Sequence, residues 1–287
     1  MWRLIPFGLY GHLIRLISSI PIPRKMRPRI WGVLCRKMGI DDTQARLPLC
    51  EYPTFQSLFT RELREGSRPI VPVDWVSPVD GEITTCGSLE SGTLLQAKSM
   101  AYTVSDFVGE QALARQFEDG SYITLYLSPK DYHRIHVPAT GHLKRAYRIE
   151  GKAYPVRPSY VRKIPKLFCL NDRVVFEMES EKGVPYCVVC VGAAAVRSIS
   201  SPYLNNSSAT QSNTNINSKI RLSKGDHLAT FNLGSTVVML IGKQAGIRCD
   251  MLIPALINMG GPLLVETRRK PLHHVTTGRY RLDLIDK

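Results

Sequence analysis

No apolar run in the sequence reaches the roughly 18–20 residues that a membrane-spanning helix needs, so by this criterion the chain does not cross a bilayer. Acidic residues are missing from the first forty positions, the earliest being Asp41. The seven cysteines form an odd, scattered set, and no secretory signal supports a disulfide framework. The C-x-x-C of Cys187 and Cys190 has no second ligand pair at zinc-binding spacing. It lies in an apolar run, so both residues are expected to be buried, reduced thiols. The G-x-S-x-G elbow of α/β-hydrolases is absent. So are zinc-finger spacing, RRM aromatic motifs and basic heptads, which leaves no nucleic-acid-binding signature.

What is present begins with charge. Lys and Arg exceed Asp and Glu to give a net charge of +14, a field that favours an anionic partner. Eight of these cations (Arg3, Arg15, Arg24, Lys25, Arg27, Arg29, Arg36 and Lys37) lie in the first forty residues. They are interleaved with Trp2, Phe7, Leu13, Leu16, Ile17, Ile20 and Trp31. The pattern predicts one helix broken by the prolines at 21 and 23, and a second from about Pro28 to Met38. Apolar and aromatic residues mixed with cations suit a helix lying in the interface of an anionic membrane. A helical hairpin packed on the core and a mitochondrial transit peptide are the competing readings.

Residues 41–70 read as a short helical linker. Phe55, Leu58, Phe59 and Leu63 follow the spacing of one helix face, with Thr54 as cap. Beyond residue 76 the texture becomes β: short runs at 122–128, 173–180, 186–197 and 236–242, punctuated by Gly, Pro, Asn and Asp. One helix is expected near Val104–Phe117. Residues 198–219, rich in Ser, Asn, Thr and Gln, are expected as a surface loop. The fold class expected is α+β, a mainly antiparallel β catalytic domain (71–287) behind a helical N-terminal membrane-associating segment (1–70).

Three segments hold reactive residues. Residues 77–81 (SPVDG) place Asp80 in a Pro/Gly-bounded turn. Residues 126–141 (YLSPKDYHRIHVPATG) carry His133 and His136, and residues 231–240 (FNLGSTVVML) carry Gly234, Ser235 and Thr236. A Ser, a His and an Asp from separate segments can form a nucleophilic set, but any chain of this length offers many such trios. His133 and His136 would share a face in a helical turn and face opposite sides in a strand.

In this order and spacing the three segments resemble phosphatidylserine decarboxylases. The flanks resemble the family too: residues 59–70 (FTRELREGSRPI), 95–98 (LQAK), 167–174 (LFCLNDRV) and 191–199 (VGAAAVRSI). The resemblance spans essentially the whole chain and implies a self-cleaving enzyme. His136 would act as general base on the Ser235 hydroxyl, with Asp80 orienting it. The hydroxyl would attack the Gly234 carbonyl and convert the amide to an ester. Loss of the Ser235 Cα proton would expel the acyl group and leave dehydroalanine. Tautomerisation and hydrolysis would then release ammonia and leave a covalent pyruvoyl group as cofactor and Schiff-base site. The products would be chains 1–234 and 235–287, held together as a heterodimer. His133 would assist decarboxylation or reprotonation. Phosphatidylserine would be the substrate, phosphatidylethanolamine and CO2 the products, and an anionic membrane surface and a second copy the further partners. The resemblance implies no metal. The setting expected is peripheral on the cytoplasmic face of a cell membrane, with the mitochondrial inner membrane as fallback.

Two stretches depart from the family pattern. The polar loop at 200–219 lacks the aromatic-rich sequence expected there, and residues 153–160 (AYPVRPSY) carry Arg157 where Ser- and Asn-containing sequence is usual. Both bear on head-group contacts. The rival readings are the same chemistry on a free amino acid, a serine hydrolase that keeps Ser235, and an unprocessed lipid- or nucleic-acid-binding relative. The basic tail at 268–281 suggests a solvated surface.

Overall fold

The computed structural model describes residues 7–90, 92–97, 100–193, 199–204, 214–232, 234–245, 247–248, 253–263 and 266–267. Eight strands form one antiparallel sheet. In chain order they are β1 (Gly81–Ser88), β2 (Ser121–Leu127), β4 (Gly141–Ile149), β5 (Arg173–Ser180), β6 (Pro185–Gly192), β8 (Thr214–Leu222), β10 (Ser235–Ile241) and β11 (Ala255–Ile257). Their spatial order is β8–β4–β5–β6–β10–β2–β1–β11. A smaller antiparallel sheet orders β3 (Arg134–His136), β9 (His227–Phe231) and β7 (Ile199–Ser200) as β3–β9–β7.

The central strands are apolar on both faces because both faces are covered. Along β10, Val237, Met239 and Ile241 enter one core with Ile135, Leu228 and Phe231. The alternate residues Val238 and Leu240 enter another with Phe107, Phe117 and Phe168. Period-two alternation thus supplies two cores from one strand.

The two N-terminal helices form as their pattern predicts, with a proline-rich gap between them: α1 is Phe7–Ser18 and α2 is Arg27–Met38. Gly39, in the left-handed region at φ 73°, ends α2. α2 buries Trp31 and Cys35 in a small core with Tyr52 and Leu58. On and after α1, Leu13, Leu16, Ile17 and Ile20 remain exposed. Among the described residues no helix is long and apolar enough to cross a membrane.

Several sequence expectations need correction. The linker helix shrinks to α3 (Phe55–Phe59), capped by a reciprocal Thr54–Ser57 box, and Leu63 instead bridges to Ala45. The helix expected at Val104–Phe117 is two short helices, Val104–Val108 and Gln111–Arg115. They break at Gly109, which ends the first at φ 75°. The polar stretch at 198–219 is not simply loop: β7 lies within it, and β8 pairs its later residues with β4. Residues 205–213 and the tail at 268–281 lie outside the described residues. Cys187 and Cys190 are buried free thiols. Cys86 is disulfide-bonded, contrary to expectation. Such pairing depends on which strands meet in space.

Candidate functional site

The three reactive segments converge at one end of the main sheet. Residue 235 opens β10, hydrogen-bonded in register between Leu127 of β2 and Gly192 of β6. β2 runs directly into the histidine segment, so sheet pairing brings the L-G-S-T and Y-H-R-I-H motifs together. Gly234 sits in the left-handed region at φ 50°, where glycine is favoured over residues bearing a Cβ. The Ser235 side chain lies outside the described residues.

Asp80 is almost fully buried. Arg68 grips its carboxylate with both ends of the guanidinium: Nε to Oδ1 at 2.8 Å and Nη2 to Oδ2 at 2.5 Å. The Met259 amide donates to Oδ1 at 2.8 Å. Arg68 Nη1 also donates to Gln44 Oε1 at 2.6 Å, tying the site to the N-terminal region. The bond to Asp80 raises the already high Arg68 pKa. Gly81 follows Asp80 because a Cβ there would lie 2.4 Å from the Tyr126 carbonyl oxygen.

His136 ends β3. Its Nδ1 lies 2.7 Å from the Gly225 carbonyl oxygen and its Nε2 lies 3.1 Å from the Tyr132 hydroxyl. Nδ1–H therefore donates to Gly225, and Nε2 carries the lone pair to which Tyr132 donates. Burial pushes the His136 pKa down to about 4. The Gly225 bond and the Asp80 charge raise it, while His227 and Arg134 lower it further. No hydrogen bond joins Asp80 to His136 among the described contacts; the carboxylate acts on the ring through its field.

His133 lies in different surroundings, since it precedes the strand. It is fully buried, its ring 3.8 Å from that of Phe59 between centroids, and Nδ1 donates to the Asp131 carbonyl at 2.8 Å. Nε2 has no hydrogen-bond partner. Burial pushes its pKa down to about 3. Both histidines are thus neutral near pH 7, each with its lone pair on Nε2.

A cavity of about 270 Å³ opens beside the start of β10, lined by Thr85, Tyr126, Val156, Arg162, Phe168 and Thr236 among others. The Thr85 and Thr236 hydroxyls are buried without a partner.

The model of the phosphatidylserine decarboxylase family matches residues 55–262, from α3 through all three reactive segments. This chain belongs to that family. A relative named phosphatidylserine decarboxylase proenzyme, from Anaeromyxobacter sp. (strain K), is 36% identical over 91% of this chain and 95% of its own length. Another of that name, from Xanthomonas axonopodis pv. citri, is 34% identical over 92% of each chain. A third, from Herminiimonas arsenicoxydans, reaches 41% over 71% of each. The word proenzyme in these names describes a precursor.

Three contributors to this family member's site carried no assigned role in the sequence. Arg68 lies in the quoted 59–70 stretch, and Tyr132 lies between the motif's Asp131 and His133. Gly225, 89 positions from His136, offered no local signal.

Proposed function

We propose that this chain decarboxylates phosphatidylserine to phosphatidylethanolamine and CO2, after cutting itself between Gly234 and Ser235. The observation carrying this reading is near full-length similarity to phosphatidylserine decarboxylase proenzymes, in a chain whose L-G-S-T segment pairs with the strand feeding the histidine motif.

His136 is the general base for cleavage. Its neutral ring and its Nε2 lone pair suit proton abstraction from a hydroxyl. Tyr132 occupies that lone pair at rest, so its hydroxyl must yield or pass the proton on. Asp80, oriented by Arg68, favours the imidazolium through its charge as His136 takes up the proton. His133, with its free Nε2, accepts a proton or hydrogen bond as it stands and donates only after taking a proton up.

A pyruvoyl group made from Ser235 fits the surroundings: Thr236, next in sequence, lines the cavity with an unpartnered buried hydroxyl. When formed, that group supplies a carbonyl electron sink for the electrons left by departing CO2.

The exposed Leu13, Leu16, Ile17 and Ile20, close to Arg15 and the cations at 24–29, form a surface suited to an anionic leaflet. A peripheral position on the cytoplasmic face is the setting assigned here.

The deciding experiment is intact mass under denaturing conditions, for the wild type and Ser235→Ala. Two wild-type fragments ending at 234 and starting at 235, with an uncut variant, are expected. A single uncut wild-type chain would remove self-processing from the account.

A further inference from the structure

The cavity beside β10 has a composition that the cleavage chemistry does not use. Its inner surface includes Tyr126, Val156 and Phe168, which are apolar or aromatic, yet two buried hydroxyls face no partner there. Thr236 is 1% exposed, and its hydroxyl lies one residue beyond the bond that is cut. A buried hydroxyl that lines an open cavity without a partner is a group left for a ligand's polar atoms.

The charges around this cavity have a definite balance. Arg162, the C-cap of the short helix Pro158–Val161, lines it, and so does Glu82 of β1. Arg157, at the other end of the same helix, places its guanidinium beside the Tyr126 hydroxyl. Neither arginine forms an ion pair among the described residues. Among the lining residues Arg162 and Glu82 offset one another, and Arg157, outside the lining but beside Tyr126, adds one positive charge next to the cavity.

An amino-acid phosphodiester matches that balance. A glycerophosphoserine head group carries a phosphate anion, a carboxylate and an ammonium, one negative charge in excess. The choline head group and free serine each have no net charge. Guanidinium groups bind phosphodiester oxygens through paired, charge-assisted hydrogen bonds, and hydroxyls add further donors. At about 270 Å³ the cavity lies at the small end of ligand sites, the scale of a head group and not of acyl chains.

We propose that this cavity is the head-group site, in which Arg157 and Arg162 hold the substrate's phosphodiester and the Thr85 and Thr236 hydroxyls hold its remaining oxygens. This rests on the decarboxylase reading for its substrate. Glu82 disfavours ligands bearing two anions without a cation.

Direct binding tests the site independently of catalysis. Glycerophosphoserine is titrated calorimetrically into the uncut Ser235→Ala chain, with and without Arg157→Gln and Arg162→Gln together. The expected result is binding to the parent chain and a loss of roughly tenfold or more in affinity in the double variant. Glycerophosphocholine and free serine should bind the parent more weakly than glycerophosphoserine. In a background that retains Ser235, the double variant should still cut itself, which reports an intact fold, while its KM for phosphatidylserine in mixed micelles rises by a similar factor. No binding to the parent, or equal binding by parent and double variant, overturns the assignment. Failure of the Ser235-containing chain to cut itself would instead overturn the decarboxylase reading.

Discussion

Asp80 and His136 are both buried, but each has a partner of its own: Arg68 and the Met259 amide for the carboxylate, Gly225 and Tyr132 for the ring. The residue identities were legible in the sequence through their motifs. The partners were not, because Gly225 and Met259 contribute main-chain groups, which every residue type carries. Burial has a testable consequence at His136. An ordinary histidine titrates near 6.5, whereas here the pKa lies at about 4. The unfolded chain therefore binds a proton between those values when the folded chain does not. Stability from this residue is complete above the unfolded pKa and is lost as pH falls towards the folded one. The base form survives over the same window. Self-cleavage of freshly synthesised chain, followed by gel, should continue at about pH 5 and fall only as pH approaches 4, if His136 is the base. A rate that halves near pH 6.5 would point to an ordinary, exposed histidine.

At the scale of elements, periodicity found the strands and both N-terminal helices, because alternation and 3.6-residue spacing are local properties. It failed where local and tertiary demands differ. Gly109 divides a stretch with helical composition, and a Cβ there would lie 3.0 Å from Ile149 Cδ1. The polar run at 214–222 pairs as an edge strand because β4 offers it hydrogen bonds. The two N-terminal helices also part company: α2 buries Trp31 and Cys35, whereas Leu16 after the middle of α1 is 67% exposed. If α1 meets the lipid surface, Leu16→Glu with Ile17→Glu should reduce sedimentation with anionic vesicles by roughly tenfold, since two buried apolar side chains are lost and charge is added. Self-cleavage should be unchanged. Equal vesicle binding by variant and parent would leave α1 without its lipid role, and added salt should weaken the parent's binding if anionic head groups contribute.

For the whole molecule, the position of the cut matters most. β10 lies between β2 and β6 and feeds two apolar cores, so the 235–287 piece is stitched into the centre of the sheet. Cutting at 234–235 and releasing the residue 235 nitrogen leaves the pairing of residues 236–241 in place. Native mass spectrometry should therefore find fragments 1–234 and 235–287 as one complex, separating only on denaturation; free fragments under native conditions would contradict this arrangement. By itself the sequence determined the family, the reactive residue types, the alternation of the strands and the basic character of the N-terminal region, all of which are written in local spacing and side-chain chemistry. Only the tertiary structure decided that Arg68 holds Asp80, that Gly225 and Tyr132 hold His136, and that Arg162, Glu82 and two unpartnered threonines share a cavity beside residue 236. Those contacts join residues far apart in the chain, and they exist because antiparallel pairing and burial on both sheet faces leave those side chains one place to go.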